Sequence, residues 1–265
     1  MNGEYKSFAA LICVTDTEMQ ALMRMYKWEK VSARNDEQEY YEAFIEKDGR
    51  MERIVAAQQD EYGMTASAVL TMKIINNFKP MYFIMTGVAA GVFNNENEHQ
   101  LYGDVILANL VWNCSVGKFV KPEDGEITLG NVGFIPRPAY IKTKEWLMPY
   151  FREAIKSFEN ECHVLLGAMA SGNSVIANNE LIEKQIRYSF RDTAGLDMES
   201  YAVMYAVEHA PRPEPAGIII KSVCDYADSG KDDRFQKFAA YTSCQFTKLL
   251  IDNFLPSEMP GGEKQ

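Results

Sequence analysis

Four short segments of this 265-residue chain set carboxylates or small residues beside apolar runs, the places where a rigid frame can present chemistry. The first, Thr15-Asp16-Thr17-Glu18, leaves the apolar run 8–14 and opens a helical pattern. Glu18 there could act as a general base, or it could be the acidic member of a capping box with Thr15, the commoner use of this spacing. The second, Thr86-Gly87-Val88-Ala89-Ala90-Gly91, follows another apolar run. Its small residues would let backbone approach a phosphate or a sugar closely, although tight packing explains a lone GxxxG equally well. The third, Ser171-Gly172-Asn173-Ser174, is a polar turn that could offer amides and carbonyls to a planar ligand or simply be a solvated connection.

The fourth is a pair, Leu196-Asp197-Met198-Glu199 and Cys224-Asp225-Tyr226-Ala227-Asp228. Each sets acids against a segment expected to be buried, and a buried acid is costly unless it is paired, caps a helix or does chemistry. Asp225, directly after the run 218–223, reads equally as functional or structural. Glu199, taken alone, reads as a helix N-terminal acid.

These residues need a frame, and strand and helix signals alternate along the chain. Strands are expected over 8–14, 81–85, 105–111, 164–170 and 216–223. Helices are expected over 15–26, 63–78, 145–158, 179–188, 198–209 and 235–254, from apolar residues at helical spacing such as Ala66, Leu70, Ile74 and Ile75. Asp48-Gly49 predicts a hairpin between 40–46 and 53–58, and Pro80 should stop the helix before it. The stretch 112–140, rich in Gly, Pro and charge, reads as loops with one short strand at most, bordering a site or a subunit contact. With no repeat and no linker, a single α/β domain over 1–255 with a central mixed sheet is the economical reading, and 256–265 a frayed tail.

Composition narrows the function. With 27 Lys plus Arg against 37 Asp plus Glu the formal net charge is −10, which argues against a nucleic acid or an anionic membrane as partner. The longest apolar stretch, 81–93, is shorter than the roughly 20 residues of a membrane span. The run 8–14 makes a poor signal peptide, so the cytoplasm is the expected location. Five widely spaced cysteines suit reduced thiols. Three histidines without ligand spacing give no reason to expect a metal site, and no cofactor is expected.

The four segments, in this order, resemble the nucleoside phosphorylase and nucleosidase superfamily, most closely its methylthioadenosine/S-adenosylhomocysteine nucleosidase branch. GLDMESYAVMYAV at 195–207 looks like that family's MExxA segment, and IIIKSVCDYAD at 218–228 like its (R/K)xxSDxAD segment. KPMYFIMTGVAAGV at 79–92 and ASGNSVIAN at 170–178 add to the match. The resemblance implies a three-layer α/β/α sandwich, cleavage of a purine nucleoside at its N-glycosidic bond, and a homodimer. It assigns Glu18 to activating the attacking water, Asp225 to protonating purine N7, and Glu199 to holding the ribose 2′ and 3′ hydroxyls. Met198 would pack on the ribose, Val175 and Ile176 would sandwich and read the base, and Lys221 would lie near the nucleophile. Asn173 and Ala89 fall at further pocket positions.

The same resemblance discriminates between nucleophiles. Phosphorylases of the superfamily bind a phosphate dianion with arginines, whereas this chain has Glu18 in the first loop and no Arg over 79–91. Water is therefore the expected nucleophile. Asn173, Val88, Cys224 and Val175 replace the branch's usual Asp, Ser, Ser and aromatic residue, so another nucleoside or AMP is an alternative substrate. A phosphorylase and a non-catalytic nucleoside-binding module are the other readings.

Overall fold

In the computed structural model the described residues are 4–92, 99–121, 128–129, 132–158, 161–174, 186–227 and 233–260. Strand β1 (Ser7–Cys13) is buried at every position, as an unbroken apolar run must be when both faces of a parallel sheet are covered. Its side chains alternate: Ala9, Leu11 and Cys13 face one core and Ala10 and Ile12 the other. Helix α1 (Asp16–Leu22) follows directly, shorter than expected. After β2 (Glu29–Val31), the strands β3 (Tyr40–Lys47) and β4 (Arg50–Gln58) form the expected hairpin. Asp48 and Gly49 have φ of 51° and 75°, the left-handed pair that a type I′ turn requires. Helix α2 (Met64–Phe78) ends in left-handed Lys79, and Pro80 begins β5 (Pro80–Gly91).

The remaining elements are β6 (Val105–Asn113), β7 (Gly117–Val120), β8 (Thr128–Leu129), β9 (Val132–Pro136), β10 (Tyr140–Lys142), α3 (Met148–Phe158), β11 (Val164–Ser171), β12 (Thr193–Asp197), α4 (Ser200–Glu208), β13 (Ala216–Asp225) and α5 (Gln236–Leu249). Ten strands make one mixed sheet. Strands β1, β4, β5 and β13 are parallel neighbours. One part of the sheet closes on itself, because β5 pairs with β13, β13 with β6, β6 with β11, β11 with β12, and β12 with β5 again.

Helices α2 and α4 cover one face, with Leu70, Ile74, Val203 and Val207 against Ile12, Phe83 and Met85. Helices α1, α3 and α5 cover the other, with Leu22, Phe151 and Phe246 against Leu11, Ile84 and Ile218. This is the expected α/β/α sandwich.

Several local expectations are corrected. The stretch 112–140 holds a three-stranded sheet, β7-β9-β8, and the edge strand β10; strands this short carry too few residues to show a period. The strand expected over 81–85 runs on through the small residues 86–91, paired with β13 from Gly87 beside Lys221 to Ala89 beside Val223. Strand β12 was not expected, since its sequence TAGLD is barely apolar. The helix expected from 198 begins at Ser200, leaving Met198 and Glu199 in the turn before it. Most of the helix expected over 179–188 lies outside the described residues. The start of the expected frayed tail is held, with Tyr82 Oη donating to the Pro256 carbonyl at 2.8 Å and Met259 packed on the core. Among the described residues no helix is long and apolar enough to cross a membrane.

Candidate active site

The C-terminal ends of β1, β5, β12 and β13 converge on a cavity of about 620 Å³, the size of a small-molecule site and the usual place for one in an α/β sheet. It gathers Glu18, Ala89, Met198, Glu199, Lys221 and Asp225. Asn173 is exposed and does not line it, although its neighbours Gly172 and Ser174 do; its backbone N–H donates to Ser115 Oγ at 2.8 Å. Val175 and Ile176 lie outside the described residues. Lys118, Lys121 and Arg137, from the stretch expected to border a site or a subunit contact, are exposed and do not line the cavity.

Glu18 is both a cap and a cavity residue. Thr15 Oγ1 accepts from the Glu18 N–H at 3.1 Å and Glu18 Oε2 accepts from the Thr15 N–H at 2.8 Å, a complete capping box. Oε2 also accepts from the Val14 N–H at 2.7 Å, and Oε1 from the Val88 N–H at 2.6 Å on β5. The carboxylate is 1% exposed. Three of about four lone-pair sites on a carboxylate are thus filled by amides, and one is left for the cavity. Val88 comes this close because its neighbour Gly87 has no Cβ: one built there would stand 2.1 Å from Glu18 Oε1.

Glu199 occupies the turn before α4, with its Oε1 accepting from the Gly63 N–H, at the start of α2, at 2.8 Å. Burial pushes its carboxyl up to about 7, and neighbouring Asp197 adds to the rise, while Lys221 and the Gly63 amide oppose it. Asp225 closes β13; its Oδ1 accepts from the Ala227 N–H at 2.9 Å and its Oδ2 from Cys224 Sγ at 3.4 Å. Lys221, 1% exposed, lies 3.5 Å from Asp197 Oδ2. Burial works against its charge, but Asp197, Glu18 and Glu199 together hold its ammonium above the ordinary lysine range.

Two participants were missed by sequence reasoning. Asp197 ties Lys221 into the cavity wall. Gln59, just beyond β4, is 3% exposed, accepts from Ser67 Oγ at 2.7 Å and donates to the Glu61 carbonyl at 2.6 Å. It fixes the loop that brings Gly63 to Glu199, and its place at the end of an apolar strand was a usable signal. The wall is strongly acidic: exposed Asp16, Asp60 and Glu61 join the buried acids, and Lys221 is the one cation among the described lining residues. No group of three or more His, Cys, Asp or Glu among the described residues is placed to hold a metal ion.

Comparison with known proteins agrees with this architecture. The family model of the phosphorylase superfamily matches residues 9–255. The uncharacterized protein y4jS of Sinorhizobium fredii is 28% identical over 263 residues, spanning 91% of this chain and 60% of that protein. The chain therefore covers less than two thirds of that relative's length. The 5′-methylthioadenosine/S-adenosylhomocysteine nucleosidase of Bacillus velezensis is 27% identical over 193 residues, 72% of this chain and 76% of that one. The crystal structure of the Neisseria meningitidis enzyme of the same description, in complex with methylthio-immucillin-A, superposes with a TM-score of 0.72 at 25% identity, covering 93% of this chain and 99% of that one.

Proposed function

The chain belongs to the phosphorylase superfamily, and from that premise we propose that it is an N-glycosyl hydrolase releasing the free base from a purine nucleoside of the 5′-methylthioadenosine/S-adenosylhomocysteine type. The observation that carries the reading is the convergence of Glu18, Glu199 and Asp225 on one cavity. Breaking C1′–N9 leaves the ribose oxocarbenium-like and sends the bonding electron pair into the purine. Asp225 gives a proton to N7, so the base leaves neutral. Water adds to C1′ and passes its proton to Glu18, whose open lone pair faces the cavity. Glu199 accepts from the 2′ and 3′ hydroxyls, and its negative charge stabilises the cationic sugar. Met198 and Ala89 pack against the nucleoside in this reading, and Lys221 balances the acids around the water.

The acidic lining supports water over phosphate and disfavours a 5′-phosphate, since either anion would face several carboxylates with one buried lysine already engaged. The homodimer implied by the resemblance belongs to the same proposal, and sedimentation as a monomer would count against it. The test is release of free base in phosphate-free buffer from methylthioadenosine, S-adenosylhomocysteine, adenosine, inosine and AMP. Release from the first two that phosphate does not accelerate is expected. Strict dependence on phosphate would replace the hydrolase by a phosphorylase. Thermal stabilisation by a nucleoside without any release would leave a binding module.

A further inference from the structure

Asp197 carries no role in the reaction, yet it is the hub of the buried charges. Its side chain is 3% exposed. It accepts from Ser171 Oγ at 2.7 Å, from Ser200 Oγ, and from the Ser200 N–H at 3.1 Å, and it lies 3.5 Å from Lys221 Nζ. Hydroxyls from the end of β11 and the start of α4 thus fix its position.

Lys221 is enclosed in β13, and the charges facing it are Asp197 at the end of β12, Glu18 on α1 and Glu199 before α4. Glu199 faces the like charges of Asp197 and Glu18, the opposite charge of Lys221, and the Gly63 amide of α2. Asp225 and the exposed Asp60 and Glu61 share its cavity. Three buried carboxylates therefore divide one ammonium. Glu18 has three amide donors, and Asp197 has two hydroxyls besides the amides of Ser200 and, at 3.3 Å, of Glu199 itself. Glu199 is the least supported, with the Gly63 amide at 2.8 Å and its neighbour Met198's at 3.2 Å.

We propose that Asp197 is a positioning residue which, by engaging Lys221 and facing Glu199 with its carboxylate, favours a proton on Glu199, so that binding a ribose diol requires that proton to leave. The link to binding rests on the nucleoside reading of the cavity. Diol hydroxyls donate, and a neutral carboxyl has lost part of its accepting capacity. The midpoint of about 7 for Glu199 places the change in the neutral range. Below it, the dissociation constant of a nucleoside rises by about tenfold per pH unit.

Two measurements separate the parts. In protein labelled at glutamate carboxyl carbons with ¹³C, the resonance lost in Glu199→Gln reports that side chain directly. Its midpoint is expected to fall by about one pH unit in Asp197→Asn, which removes a nearby like charge, and to rise in Lys221→Met, which removes the opposing one. Calorimetric titration with formycin A, a C-nucleoside whose base cannot be released by hydrolysis, should weaken on the acid side at the same midpoint in wild type, and at the lower one in Asp197→Asn. A Glu199 midpoint unmoved in Asp197→Asn overturns the proposal. If circular dichroism shows that variant unfolded, an unmoved midpoint in Lys221→Met overturns it equally. Formycin A binding at no pH would overturn the nucleoside reading and the link to binding, while the carboxyl titration still decides what Asp197 does to Glu199.

Discussion

Replacing Gly87 by Ala would place a methyl group 2.1 Å from Glu18 Oε1 and 2.6 Å from its Cδ. Real Cβ atoms essentially never approach within 3.0 Å, so something must retreat by about 1 Å. The strand is the harder partner to move, because Gly87 pairs with Lys221 in the central β13 and the whole of that strand is buried. The carboxylate therefore swings away, and its 2.6 Å bond from the Val88 N–H is the first to break. A hydrogen bond to a charged group contributes about 1.5–3 kcal/mol, so a loss of about 2 kcal/mol in stability is expected, a fall of several degrees in Tm for a chain of this size. A catalytic group displaced by about 1 Å costs about 10²-fold in rate. Initial rates of free-base release should show kcat down by about that factor with KM changed little, because Glu199 and Asp225 approach the substrate from other elements. Activity within about threefold of wild type, in a variant whose melting curve shows it folded, would refute the claim that Glu18 acts from the place its three amides define.

Three further outcomes follow from the same geometry. Asp225→Asn keeps the acceptor for the Ala227 N–H and should melt near wild type while losing about 10²–10⁴ in kcat; near-normal turnover would remove Asp225 as the acid. Because the Glu199 carboxyl is raised to about 7 from 4.5, its stabilising neutral form is fully present below 4.5 and is lost as pH rises through 7. Glu199→Gln should thus melt above wild type at pH 8 by up to about 3 kcal/mol, with the gap closing toward pH 4.5, and a pH-independent gap would contradict the assignment. Thr15→Ala removes the acceptor for the Glu18 N–H; it should cost about 1 kcal/mol in chemical denaturation and also lower kcat, whereas a stability loss without a rate loss would make the cap purely structural.

What was legible in the sequence was local. Thr15 and Glu18 announce their cap by spacing, Asp48-Gly49 its turn, and the run before Asp225 its buried strand. At Glu18 the cap does not exclude the proposed base, since the amides that satisfy the cap also hold the carboxylate in the cavity wall. What was not legible depends on strand closure. Nothing in TAGLD marks β12 as a strand, and without β12 beside β5 no reason exists to bring Asp197 to Lys221, 24 residues later. Asn173 was misplaced for a related reason: a polar turn offers every residue equally to a ligand, and only the backbone path decides that Gly172 and Ser174 line the cavity while Asn173 bonds Ser115.

The ring that β12 closes also bears on how the protein reaches its native state. Val88 bonds a carboxylate 70 positions away and Gly63 one 136 positions away. Such pairings demand that long loops be closed before they are rewarded, and chains dominated by them fold slowly. No contiguous fragment ending before β13 can hold Glu18, Asp197, Glu199 and Lys221 together, so the assembled cavity should arrive in the last kinetic phase of refolding, after most helical signal has returned. A ligand that binds the assembled cavity would then stabilise the whole sheet, by mass action, and not one corner of it.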